Sequence, residues 1–254
     1  MMLIKLGGSA ITDKSKPLTS RANDIKRMAR EIAGVPGDKI IVHGAGSFGH
    51  IKAAEYRLKD GFIDESQREG ICMVQKDMRQ LNMMVVDAMR EAGVAVASVP
   101  AGAITLFDNG QMMKFPSEVF AHYVKLGITP ITFGDVVVDK TKGIAICSGD
   151  DIMLRLARDL GAEKSVFVTS VDGIYAGYPP EGDEEPLAIV GAGTEISFKV
   201  EDVDVTGSME RKLKLMVEMA ALGGKVFIVN GLVPDRLGDA LEGKEFLGTE
   251  VMGD

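Results

Sequence analysis

Residues 41–50 read IVHGAGSFGH. A β-branched apolar run closes on a histidine and is followed by three glycines among small residues. The next segment has helix-compatible composition. That order predicts a strand, a tight turn and a helix. The strand is expected over 39–43 and the helix over 50–58. Only three histidines occur in the chain, and two of them, His43 and His50, bracket this turn.

The same pattern repeats outward from this stretch. Residues 2–6 (MLIKL) read as a buried strand that runs into Gly7, Gly8 and Ser9. Thr19 or Ser20 is placed to cap a helix ending near Ile32. Residues 67–91 carry Ile71, Val74, Met78, Leu81, Val85 and Met89 at helical spacing. Strands are expected over 94–99, 128–132, 166–169 and 226–229, and helices over 117–126, 149–160 and 208–222. Asp108-Asn109-Gly110 and the KTKG run at 140–143 read as hairpin turns, and 177–186 as a polar loop. Strands alternating with helices imply an α/β fold, a three-layer αβα sandwich whose mostly parallel central sheet is covered on both faces, with added β-hairpins.

Composition narrows the class. The chain has 254 residues, 46% hydrophobic and 26% charged, the balance of a water-soluble globular protein. No apolar run is long enough to span a bilayer, and the N-terminal stretch reads as a strand rather than a signal peptide. Cys72 and Cys147 lack CxxC spacing, so neither a disulfide framework nor a metal site is expected, and a cytoplasmic setting is. A net charge of −8 argues against nucleic-acid binding. Residues 1–60, however, hold 11 Lys/Arg against 6 Asp/Glu, which suits a small anion bound near the N-terminal turns.

Three glycine-rich turns follow apolar strands: GGS (7–9), GAGSFG (44–49) and SGDD (148–151). Ligands of open α/β sheets collect at the carboxyl ends of strands. Glycine lets backbone N–H groups approach phosphate oxygens there, and a following helix N-terminus adds partial positive charge. No stretch matches the Walker A pattern, and a dinucleotide-binding turn is not expected either. Lys5 stands inside a buried strand, where lysine is rare without a partner, and is expected to deliver its charge to the adjoining turn.

IKLGGSAITDK, VHGAGSFGH, FGDVVVD, SGDD, TSVDGIY and DVTGSMERKL occur in this order over nearly the whole chain. Together they resemble the amino acid kinase superfamily, and its archaeal isopentenyl phosphate kinases in particular. The terminal histidine of HGAGSFGH is shared with fosfomycin-kinase-like relatives. The resemblance implies a single domain with an acceptor lobe (1–160) and an ATP lobe (161–254), a homodimer, and transfer of phosphate from ATP, with Mg²⁺, to isopentenyl phosphate. A kinase of another small phosphate or phosphonate, and a non-catalytic nucleotide-binding regulator, are the alternatives.

Roles then follow by position. Lys5 and Lys14 would attend the transferring phosphoryl group, and Gly7, Gly8 and Ser9 the ATP phosphates. Gly44, Ala45, Gly46 and Gly49 would cradle the phosphates, and His50 would bond the acceptor's phosphate. His43 is expected to be packed and structural, like His122. Asp150, with Gly149 before it, would orient the lysines; an already ionised acceptor needs no strong base. Thr169, Asp172 and Tyr175, together with Gly207 and Lys212, would serve the nucleotide. Ser208 replaces a common glycine and Arg211 precedes Lys212, which leaves open which cation meets the phosphates. No dedicated metal cage is expected, since Mg²⁺ binds readily through phosphates. Met73, Met78, Met83 and Met84 on the long helix, with Ile51 and Ala54, are candidates for lining an apolar acceptor pocket.

Overall fold

The structure is a computed structural model; it describes residues 1–178, 184–198 and 209–253. Among these residues the main sheet has eight strands, in the order β11 (Ile189–Val190), β14 (Gly248–Val251), β13 (Lys225–Asn230), β9 (Lys164–Thr169), β1 (Met2–Leu6), β2 (Lys39–His43), β6 (Thr129–Phe133) and β3 (Val96–Ser98). All neighbours are parallel except β13 and β14. A second, four-stranded sheet has the order β5 (Gln111–Lys114), β4 (Leu106–Asp108), β7 (Asp135–Asp139), β8 (Gly143–Cys147). Its two hairpins are those expected from the turns. Asn109 and Gly110 both take positive φ, 47° and 80°, as a two-residue primed turn requires. A short pair, β10 (Gly177–Tyr178) with β12 (Ser197–Phe198), completes the strands.

The period of two along each central strand sorts side chains into two layers. Ile4, Leu6, Ile41, Val166, Val168 and Val229 face one core. Helices α2 (Ala22–Gly34), α3 (Gly46–Glu55), α4 (Gln67–Glu91) and α9 (Arg236–Glu242) cover it. Leu3, Ile40, Val42, Phe167, Val226 and Ile228 face the other core, under α5 (Ala101–Ile104), α6 (Ser117–Lys125), α7 (Gly149–Leu160) and α8 (Met209–Ala221). The arrangement is the expected αβα sandwich. Lys5 shares the parity of Leu3, so its side chain points into the α7 layer.

Several local expectations shift. The helix after β2 starts at Gly46, not at His50, so residues 46–49 are its first turn. It stops at Glu55, and a single 3-10 turn at Leu58–Asp60 follows. A short helix, α1 (Gly8–Ile11), already begins within the GGS turn. Helix α2 begins after Arg21, and neither Thr19 nor Ser20 caps it; the Thr19 hydroxyl bonds Pro17 O and Ser20 bridges to Thr12. The expected loop at 177–186 and the first residue of the helix expected at 208 fall largely outside the described residues. No described helix is long and apolar enough to cross a membrane.

Candidate active site

The carboxyl ends of β1, β2, β6, β8 and β9 meet around a cavity of about 690 Å³. Lys5, Gly7, Gly8, Ser9, Lys14, Gly44, Ala45, Gly46, Gly49, His50, Gly149, Asp150, Thr169 and Lys212 all line it. Segments far apart in sequence thus converge on one site.

Lys5 is 8% exposed and Asp150 is 4% exposed. Lys5 Nζ donates to Asp150 Oδ1 at 2.5 Å, across 145 residues of sequence. The ammonium also lies 5.7 Å from the Phe167 ring centroid, the residue beside it in β9. A buried lysine is tolerated here because a carboxylate and an aromatic face compensate it. Asp150 stands in the first turn of α7, where the helix dipole favours its charge. Ser148 caps that helix: its Oγ accepts from Asp151 N at 3.1 Å and donates to Asp151 Oδ2 at 2.7 Å.

The glycine turns are packed against each other, backbone to backbone. A Cβ on Gly8 would lie 2.4 Å from Gly46 N, and one on Gly44 would lie 2.7 Å from Gly8 N. Thr12, fully buried, staples the two turns: its Oγ1 donates to Gly8 O at 2.7 Å and accepts from Ser47 N at 3.0 Å. The glycines therefore bring two loops into contact as well as leaving room for an anion. Residues 44–49 do follow the GxGxxG spacing, so the spacing itself does not exclude a dinucleotide turn. The fold does: that fingerprint belongs to a compact βαβ unit, whereas β2 ends at His43 and the next strand starts at Val96.

The two histidines of the turn separate as expected. His43 is fully buried and stacks on Phe133, ring centroids 5.0 Å apart. Its Nδ1 lies 3.0 Å from Gly44 O and its Nε2 3.2 Å from Asn82 Nδ2, so the neutral ring donates at Nδ1 and accepts at Nε2. Burial lowers its pKa to about 4, against a smaller opposing effect of the Gly44 carbonyl. His50 is half-buried on the second turn of α3 and lines the cavity. His122 is exposed and lies 2.7 Å from Glu118 O.

Beyond His50 the cavity turns apolar. Ile51, Ala53, Val74, Met78, Val136 and Ile146 line it there. Of the four methionines considered, only Met78 lines the cavity, and Met83 is exposed; Ala53, not Ala54, contributes from α3. The helical repeat placed them on one element, but only packing decided which face the cavity receives.

Asp172 and Tyr175 are not among the cavity-lining residues. Asp172 Oδ1 accepts from Asn230 Nδ2 at 2.9 Å and from the Arg236 guanidinium. Tyr175 is buried, and that burial raises its phenol pKa. Gly207 lies outside the described residues. Lys212 lines the main cavity, whereas Arg211 lines a second, adjoining cavity and pairs with Asp151 at 2.6 Å. Sequence reasoning missed Thr12, Asn82, Arg79 and Asp135. Each works through a bond to a distant segment, which spacing does not reveal; only Ser148, with Asp151 three residues on, carried a local capping signal. Among the described residues no group of His, Cys, Asp or Glu is arranged to hold a metal ion.

A model of the amino acid kinase family matches residues 1–230. The chain belongs to the amino acid kinase family. Within the family it is 38% identical over 253 residues to the isopentenyl phosphate kinase of Thermoplasma acidophilum, covering 99% of this chain and 100% of that one. It is 32% identical to the isopentenyl phosphate kinase of Methanothermobacter thermautotrophicus, covering 100% and 99%. Among solved family structures, one of an isopentenyl phosphate kinase superposes with a TM-score of 0.87 at 30% identity, over 99% of this chain and 100% of that chain. An isopentenyl phosphate kinase substrate complex superposes at 0.83 with 34% identity, over the same shares.

Proposed function

We propose that this protein transfers the γ-phosphoryl group of ATP to the phosphate of isopentenyl phosphate, giving isopentenyl diphosphate. The observation that carries this reading is the composition of the main cavity. Lys5, Lys14, Lys212, His50 and two glycine turns line it, together with the apolar side chains of Ala53, Val74, Met78, Val136 and Ile146. That pairing suits a phosphate bearing a short hydrocarbon tail. A polar phosphonate acceptor would call for buried donors where Val74, Met78 and Ile146 stand.

Phosphoryl transfer between two anions needs alignment and charge neutralisation more than covalent chemistry. In this reading Lys5, oriented by Asp150, and Lys14 neutralise the migrating group. Gly7, Gly8 and Ser9 hold the ATP phosphates, with Lys212 and Thr169 on the nucleotide side. Ala45 and Gly46, at the N-terminus of α3, hold phosphate oxygens by N–H donation, Gly44 shapes the turn with its own N–H on Leu6 O at 2.9 Å, and His50 bonds the acceptor. Asp172, Tyr175 and Gly207 remain proposed for the nucleotide lobe, the first two acting through the Asn230 and Arg236 contacts and the local packing. The acceptor phosphate is ionised near neutrality, so Asp150 acts as an orienting group and not as a base. Mg²⁺ enters as the counter-ion of the ATP phosphates rather than in a protein cage. A cytoplasmic homodimer, with an acceptor lobe over 1–160 and an ATP lobe over 161–254, completes the proposal.

Coupled ADP release over a panel of small phosphates and phosphonates tests it. Turnover is expected with isopentenyl phosphate, far above that with fosfomycin-like phosphonates. Absence of ADP release with every member of the panel would overturn the reading.

A further inference from the structure

We propose that Asp135 is a positioning residue that fastens helix α4 to strand β7 and so sets the apolar wall of the cavity where the acceptor's tail lies. This inference rests on the function proposed above and concerns how the acceptor is gripped.

Asp135 opens β7, and its side chain has 0% exposure. Its Oδ1 accepts from Val136 N at 2.9 Å and its Oδ2 from Arg79 Nη1 at 3.2 Å. The Gly102 N–H of α5 is a third donor. A Cβ on Gly102 would lie 2.3 Å from Oδ2, so a glycine is what allows α5 to come this close. One helical turn before Arg79, Gln75 Nε2 donates to Val136 O at 2.9 Å. Gln75 and Arg79, four residues apart and so on one face of α4, therefore grip two consecutive residues of β7.

The residues immediately before them on α4, Val74 and Met78, line the apolar end of the cavity, as does Val136 itself. The latch thus joins the elements on two sides of that end. Asp135 is itself among the cavity-lining residues, and its carboxylate oxygens are taken up by the Val136 and Gly102 N–H groups and by Arg79. It acts by holding the width of the space between α4 and β7, and small errors in substrate placement are costly in catalysis.

The charge is kept there at a cost. Burial raises the Asp135 pKa to about 6, only partly offset by Arg79 and by the backbone donors. The groups facing it from neighbouring elements are the Arg79 guanidinium of α4 and, opposite it in β8, the Cys147 thiol, whose own pKa is pushed up by burial first and then by Asp151 and Asp135. From α5 it meets only a peptide N–H. Every group that meets the carboxylate is a donor, so an amide, whose Nδ2 would face one of them, opens one arm of the latch.

The test uses the full chain with Asp135→Asn, Arg79→Met and the double variant. Three quantities are read: isopentenyl phosphate affinity by calorimetric titration and by KM, KM for ATP, and thermal stability. Asp135→Asn is expected to weaken the acceptor about tenfold, with KM for ATP within about twofold, both read well below the Tm of each variant. The double variant should cost no more than the worse single one, because both break one latch. The ratio of wild-type to Asp135→Asn acceptor affinity should fall toward one as pH drops below about 6. Titration of the acceptor is common to both proteins and cancels in that ratio. Unchanged acceptor affinity, an equal rise in KM for ATP, or a loss of activity that merely tracks a fallen Tm would overturn the proposal. Direct titration needs no turnover, so a protein that binds isopentenyl phosphate through the latch without phosphorylating it would refute the kinase reading and leave the latch standing.

Discussion

Lys5 and Asp150 form a buried ion pair, with side-chain exposures of 10% and 6% and a separation of 2.5 Å. Replacing Lys5 by methionine keeps the length and apolar volume of the side chain but leaves the carboxylate alone. Breaking a buried pair by removing one partner costs about 3–5 kcal/mol. The position of Asp150 in the first turn of α7 returns about 0.3–1 kcal/mol of that, so a loss of about 3 kcal/mol is expected. For a chain of this size each kcal/mol moves Tm by roughly 2–4 °C, which puts the fall at roughly 6–12 °C. Removing both charges, as in Lys5→Met with Asp150→Leu, should recover most of that stability, because an uncharged pair of similar volume leaves nothing unsolvated. Catalysis should not recover. The migrating phosphoryl group loses one of its two cations in both variants, and turnover should drop by about 10²–10³-fold in each. Thermal unfolding and coupled ADP release on the same preparations measure the two effects separately. The reasoning fails if the single variant melts with the wild type, or if the double variant regains turnover along with stability.

Three further outcomes follow from the same geometry. His50→Ala should lower kcat/KM for the acceptor by about 2–4 kcal/mol of transition-state stabilisation while leaving Tm within a few degrees, checked by steady-state kinetics beside a melt. His43 is neutral and buried, with its pKa lowered to about 4 from 6.5, so the unfolded chain takes up its proton first. The stability it confers is complete above pH 6.5 and is lost as pH falls toward 4, about 3 kcal/mol in all; His43→Gln should remove this part of the pH dependence in denaturant titrations. Lys212→Ala should raise KM for ATP about 10²-fold, whereas Arg211→Ala, which breaks a half-exposed pair with Asp151, should change it by less than about tenfold. Equal effects of the two substitutions would remove the distinction drawn between them.

Much of the site was legible before any coordinates because its parts are local. Gly7-Gly8-Ser9, Gly44–Gly46 and Gly149-Asp150 each sit where an apolar strand gives way to a helix, and that transition is written in neighbouring residues. Lys5 stood out for the same reason, as a cation inside a strand. His43 and His50 could be told apart because one closes a strand and the other follows the turn. The start of α3 was misjudged by four residues, since glycines at 46 and 49 argue locally against helix while the packing of Gly46 on Thr12 and Gly8 imposes it.

What stayed hidden depends on long-range partners. Asp172 looked like a cavity residue until Asn230 and Arg236, some sixty residues on, took its carboxylate. Arg211 and Lys212 were indistinguishable by spacing and are separated only because α8 turns one toward Asp151 and the other toward the main cavity. Asp135 was one acidic residue in FGDVVVD until α4 and α5 closed over it. By itself the sequence determined the alternation of strands and helices, the anion-binding turns at strand ends and the cation beside the first of them, because strand, turn and helix preferences act over a few residues. The tertiary structure alone decided which side chains share a cavity, which carboxylates are already spoken for and where the apolar end lies. Those outcomes depend on burial and pairing between segments as far apart as Lys5 and Asp150, and no local pattern encodes them.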